Sequence, residues 1–219
     1  SGSGGAAGVP EDASAVVLNV TADRPTGHGY VVVYPDTAGD GTTPPPAGST
    51  VNFELGTAVA NAAFVQLPPD GAVCYTTHGA PNVRVILDVT GYVMPDAGLS
   101  TQASVRLLDT RASSHVGALT GPVPPRQTQT IQVAGHAGVP ADATAVLLNV
   151  TVVGATGVGN LRVFPAGGDL PNVSTVNYAA DRTKANAAIV SLPASGKISL
   201  FSDTGSPVEV VLDVVGWAG

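Results

Sequence analysis

Four pairs of polar residues stand where chemistry would be expected. They are Asn19 and Asn149, Asn52 and Asn177, Asn61 and Asn186, and Asp88 and Asp213. Each pair lies inside an apolar, β-branched stretch, where a polar side chain is costly unless it finds a partner. Amide and carboxylate oxygens suit a hard cation, so Asp88 and Asp213 admit a calcium site. The competing reading is structural, with these side chains bonding backbone at bulges, strand ends and turns. Recurrence in pairs favours the structural reading, because a folding requirement repeats more readily than a catalytic centre. A second candidate, Asp109-Thr-Arg111, occurs once. Alternation along a strand puts Asp109 and Arg111 on one face, within reach of Asp213 or Asn149. They form either an internal ion pair or a carboxylate- or sugar-binding arginine. Stacking on sugar rings needs exposed aromatics, and Tyr92 and Trp217, each following a glycine, are the candidates for it.

Other signals are weaker. The histidines His28, His78, His115 and His136 lack zinc-ligand spacing. There is no Gly-x-Ser-x-Gly elbow. Glu11, Glu54 and Glu209 are the only glutamates and do not recur between copies, as a shared glycosidase carboxylate would. Gly154-Ala-Thr-Gly-Val-Gly159 lacks the lysine and the following helix of a phosphate loop. The lone Cys74 reads as a small apolar strand residue, its partner in the second copy being Ser199. The glycosylation patterns at Asn19 and Asn149 fall in expected strands, and a third starts at Asn172. The chain is therefore read as a non-enzyme without a cofactor or resident metal.

The elements that position these residues are duplicated. Residues 9–22 and 139–152 agree at ten of fourteen positions. The offset between copies is 130 up to a Pro-rich loop and 125 after it. The difference falls in a surface loop, where insertions are tolerated. Period two dominates throughout, and no helical stripe of ten residues is found. Strands are expected at 15–21, 30–34, 50–55, 59–67, 72–77 and 83–93, with counterparts in the second copy. Two more are expected at 104–110 and 127–134. The fold class is all-β: two related antiparallel sandwich- or barrel-like repeats. The first repeat spans 1–95 and lacks a leading segment. The second spans 96–219, with its leading segment at 104–135 and its core at 136–219. Either the intervening segment serves both repeats or the first leaves a sheet edge unpaired and open to self-association. Binding is expected in the divergent loops, 36–48 and 165–173.

Composition narrows the partners. The chain has 219 residues, 11% charged, with a formal net charge of -7. It has no basic stripe for nucleic acid or anionic membranes, and no apolar run long enough to span a bilayer as a helix. No signal peptide is read, and Ser1-Gly-Ser-Gly-Gly5 looks like a linker, so a leader could have been removed.

The succession Arg106-Leu-Leu-Asp-Thr-Arg111, Gly121-Pro-Val123, Ile131-Gln-Val-Ala-Gly135, Gly138-Val-Pro-Ala-Asp-Ala-Thr-Ala-Val-Leu-Leu-Asn-Val-Thr151 and Asp213-Val-Val-Gly-Trp217 resembles a tandem repeat module of secreted actinobacterial proteins. The likeness covers 104–217, and 8–93 without the leading part. It implies an extracellular or cell-wall setting and supplies no mechanism. The function expected is a non-enzymatic cell-surface module for adhesion, display or attachment. The alternatives are a carbohydrate- or peptidoglycan-binding module, and an extracellular hydrolase or its accessory domain. Expected partners are a cell-wall or host glycan, or another surface protein.

Overall fold

A computed structural model describes residues 8–79 and 82–219. All the regular elements among them are strands, and they form four antiparallel sheets. The chain divides into two compact units at Ala103/Ser104.

The first unit contains β1 (Ala15–Asp23), β2 (Gly29–Pro35), β3 (Val51–Phe53), β4 (Val59–Gln66), β5 (Val73–Gly79) and β6 (Arg84–Val93). One sheet has the order β4-β1-β6 and the other β3-β2-β5. Alternation along β1 sends Val16, Leu18, Val20 and Ala22 into the core, where Val31, Val33, Val51, Phe53 and Val65 meet them. The second unit repeats this plan with β9 (Ala145–Val153), β10 (Gly159–Pro165), β11 (Val176–Tyr178), β12 (Lys184–Ser191), β13 (Lys197–Ser202) and β14 (Glu209–Ala218).

The second unit has more. The leading segment supplies β7 (Leu99–Asp109) and β8 (Thr128–Gln132). β7 starts earlier than the alternation from Ser104 suggests, and β8 is shorter than residues 127–134. β7 extends one sheet to β12-β9-β14-β7, and β8 extends the other to β11-β10-β13-β8. Their apolar residues, Leu107, Leu108 and Ile131, complete the core with Val123 and Val133. In the first unit β6 and β5 occupy the outermost places. The leading segment thus adds its strands to the second unit's sheets.

The repeated sequence features have local causes. The register along β1 and β6 jumps from Val17–Gly91 to Leu18–Val89, leaving Thr90 as a bulge. Along β9 and β14 it jumps between Val214 and Gly216, leaving Val215. The third position of Asp-Val-x-Gly-aromatic is therefore the bulged residue, which re-aims the aromatic that follows. Glycine begins both β2 and β10 because an aromatic packs onto its backbone. A Cβ on Gly29 would lie 2.7 Å from Phe53 Cζ, and one on Gly159 would lie 2.7 Å from the Tyr178 hydroxyl.

Candidate functional site

The densest polar cluster in the described residues gathers where β7 ends beside β14. Asp109 is fully buried and is held from three directions. Arg111 donates to it twice, from Nε to Oδ1 at 2.9 Å and from Nη2 to Oδ2 at 2.6 Å. The Arg111 backbone N–H donates to Oδ1 at 3.1 Å and the Ser114 hydroxyl to Oδ2 at 2.9 Å. Arg106 Nη1 adds a contact to Oδ2 at 2.7 Å. Arg106 then reaches the second carboxylate, its Nε lying 2.5 Å from Asp213 Oδ1. Thr110 closes the cluster. Its hydroxyl bonds the Glu209 carboxylate and also accepts the Val210 N–H at 2.8 Å.

The electrostatics follow from these contacts. Burial opposes ionisation of Asp109, but the donors from Arg111 and Ser114 outweigh it and hold the carboxyl far below its usual range. Burial dominates at Asp213 and pushes its carboxyl up, against the Arg106 hydrogen bond. Both carboxylates are buried and bonded to guanidinium groups, so neither is presented at the surface to a substrate. The cluster fixes β7 against β14. Buried arrays of this kind specify geometry more than they add stability.

Two expectations about this cluster need correction. Arg111 does not share a strand face with Asp109, because β7 ends at Asp109 and Arg111 folds back beyond it. The residue that reaches Asp213 is Arg106, which the sequence reading did not single out. Asp213 is thereby committed to a cation of the protein, leaving the calcium alternative without that ligand. Among the described residues, no three His, Cys, Asp or Glu side chains gather as a metal site.

One matched pair of asparagines serves the backbone in both units. Asn61 Nδ2 donates to Thr50 O at 2.8 Å, and Asn186 Nδ2 to Thr175 O at 2.9 Å. Thr50 Oγ1 accepts the Val33 N–H, as Thr175 Oγ1 accepts that of Val163. One network thus recurs in both units, tying β3 to β2 and β4, and β11 to β10 and β12. Asn52 bonds Ser49 Oγ at 2.8 Å, while Asn177 is exposed on β11. Asn19 lies opposite Asp88 across β1 and β6, and Asn149 opposite Asp213 across β9 and β14. Asn19 contacts Thr21 at 3.4 Å.

The two aromatic candidates differ. Trp217 is half-buried and packs on the second unit's core. Tyr92 is 46% exposed. Tyr75 is 55% exposed. Tyr30 stacks on His78 with ring centroids 4.6 Å apart.

The divergent loops are internally organised. Asp36 accepts the Gly41 N–H and the Thr43 hydroxyl, both at 2.8 Å, which pulls its carboxyl below the ordinary value. Cys74 lies near Asp36, and burial pushes its thiol up, helped by that charge. In the other loop Arg162 donates to Pro171 O at 3.0 Å and to Asn160 Oδ1 at 3.0 Å, beneath a cation–π contact with Phe201.

Comparison of the chain with family models, with curated proteins and with solved structures returns no match.

Proposed function

We propose that the chain is a non-catalytic extracellular module used for adhesion, display or attachment at a cell surface. The observation that carries this reading is the fate of the duplicated polar residues. The Asn61–Thr50 network and its copy at Asn186–Thr175 satisfy backbone. The buried carboxylates Asp109 and Asp213 are spent on arginines. The asparagine–threonine network that the two copies share is therefore a folding feature of each unit. The small, neutral side chains and net charge of -7 suit a solvated spacer.

The test is thermal unfolding of the chain against cell-wall fragments, host-type glycans and calcium, alongside a panel of hydrolase substrates. A spacer shows no saturable rise in Tm and no turnover. A glycan raising Tm in a saturable way would overturn the reading, since binding to the native state stabilises it by RT ln(1 + [L]/Kd). Loss of that rise in Tyr92→Ala would place the sugar on the exposed ring.

A further inference from the structure

The two units differ in one respect that bears on partners. Strand positions that are sealed in the second unit are open in the first. Val208, just before β14, and Val210, Leu212 and Val214 on it are buried. Their counterparts Val83, Val85 and Leu87 are only half-buried, and Val89 is 42% exposed. On the other sheet Leu200 of β13 is fully buried, whereas its counterpart Tyr75 is the most exposed aromatic. Register explains Tyr75. It lies opposite the core residue Val33 and so belongs to the core face of β5. Among the described residues, no strand equivalent to β7 lies beside β6 and none equivalent to β8 lies beside β5.

The missing strands have a legible chemistry, because the second unit contains them. There, the guanidinium of Arg106, which directly precedes the core residues Leu107 and Leu108, meets Asp213, and Asp213 is 1% exposed. Its counterpart Asp88 is exposed and has no side-chain partner among the described residues. A second copy of this chain is a poor donor. Its own β7 and β8 are tied into its second unit by Arg106, Asp109 and Arg111, and lending them would open the same edges there.

We propose that the β6 and β5 edges of the first unit form an acceptor site for a strand pair from outside these two units, with the chemistry of β7 and β8. The first strand carries Arg-Leu-Leu-Asp, its arginine on Asp88 and its leucines on Val85, Leu87 and Val89. The second carries a Gln-Thr-Ile strand in the register of β8, its isoleucine opposite Val73 and its glutamine opposite Tyr75, the counterparts of Ile198 and Leu200. Backbone bonds along the edges supply affinity, and the ion pair sets register. The inference is independent of the display reading and holds for a binding module as well.

The probe is a synthetic peptide with the sequence of residues 99–134, added to the full chain and followed by backbone hydrogen exchange. Saturable protection of residues 84–89 and 73–79 is expected. It should weaken about tenfold in affinity with Asp88→Asn or with Arg106→Gln in the peptide, the scale of one charge-assisted hydrogen bond. Asp88 is exposed, so this variant folds. Unchanged exchange on β6 and β5 would overturn the proposal. Equal protection by a scrambled peptide would do the same, as would protection that rises with protein concentration alone and shows a second copy covering the edge.

Discussion

Arg106→Met tests the structural account of the charge cluster most directly. Arg106 lies 2.5 Å from Asp213 and 2.7 Å from Asp109, with its side chain 19% exposed. Met keeps much of the aliphatic stem and removes the charge. Asp109 retains Arg111 and Ser114, but Asp213 loses its cation while remaining buried. Breaking a buried pair by removing one partner costs about 3–5 kcal/mol. With a urea m-value of about 2 kcal/mol/M, the second unit's midpoint should fall by roughly 1.5–2.5 M. The matching control is Asp88→Ala, at the exposed counterpart of Asp213, which should stay within about 0.5 kcal/mol. The pH dependence carries a definite sign. Without Arg106 the Asp213 carboxyl rises further, and a carboxyl raised in the folded state penalises folding above its folded value. The penalty disappears as pH falls through that value, so the deficit of the variant should narrow in mild acid. Urea titrations at neutral and acid pH, with probes in each unit, measure all of this. A deficit below about 1 kcal/mol, or one that does not narrow in acid, would refute a buried and uncompensated Asp213.

Asn61→Ala should cost about 1–3 kcal/mol, because Asn61 is buried and Thr50 O would lose its donor; Asn186→Ala should cost clearly less, since Asn186 is exposed, and chemical denaturation of each variant compares them. Gly159→Ala should lower the second unit's Tm, at about 1–3 kcal/mol, because its Cβ would press on the Tyr178 ring and hydroxyl. Asp109→Asn should remove stability that is present above the unfolded carboxyl value near 4 and lost as pH falls through the lower folded value, so wild type and variant should converge in strong acid. Alkylation of Cys74 should be slow at neutral pH and faster in Asp36→Asn, because burial and that charge both hold the thiol up; equal rates in the two proteins would contradict it.

Much of the fold was legible because the duplication aligned strands whose boundaries single stretches leave vague. Pro35 and Pro165 close β2 and β10, and the turn at 68–71 separates β4 from β5. The site was less legible. Asp109 and Arg111 stood out, but Arg106 did not, because residues three apart on a regular strand face opposite ways. The arginine's length and the end of the strand at Asp109 allow one guanidinium to touch both carboxylates. Its signal was present in Arg106-Leu-Leu-Asp-Thr-Arg111, where two arginines flank an aspartate absent from the first copy. The exposure of Tyr75 was hidden for a different reason. Its alternation is that of a core residue, and only the absence of a neighbouring strand leaves it bare.

That contrast gives the duplication an explanatory use beyond the alignment of strands. Asp88 and Asp213 have the same neighbours in sequence, Leu-Asp-Val, and the same partner position across the sheet, Asn19 and Asn149. One is exposed and one is buried on an arginine. Local sequence therefore does not decide whether this aspartate is a surface charge or half of a buried ion pair. The presence of β7 decides it. The shared Asp-Val-x-Gly-aromatic ending specifies a strand with a bulge, and the leading segment specifies whether that strand is an edge. An arginine delivered to Asp88 on a suitable strand would convert the first arrangement into the second. The desolvation cost of burying Asp88 would be incurred only when its cation arrives with it, which makes the aspartate selective for a strand carrying that charge.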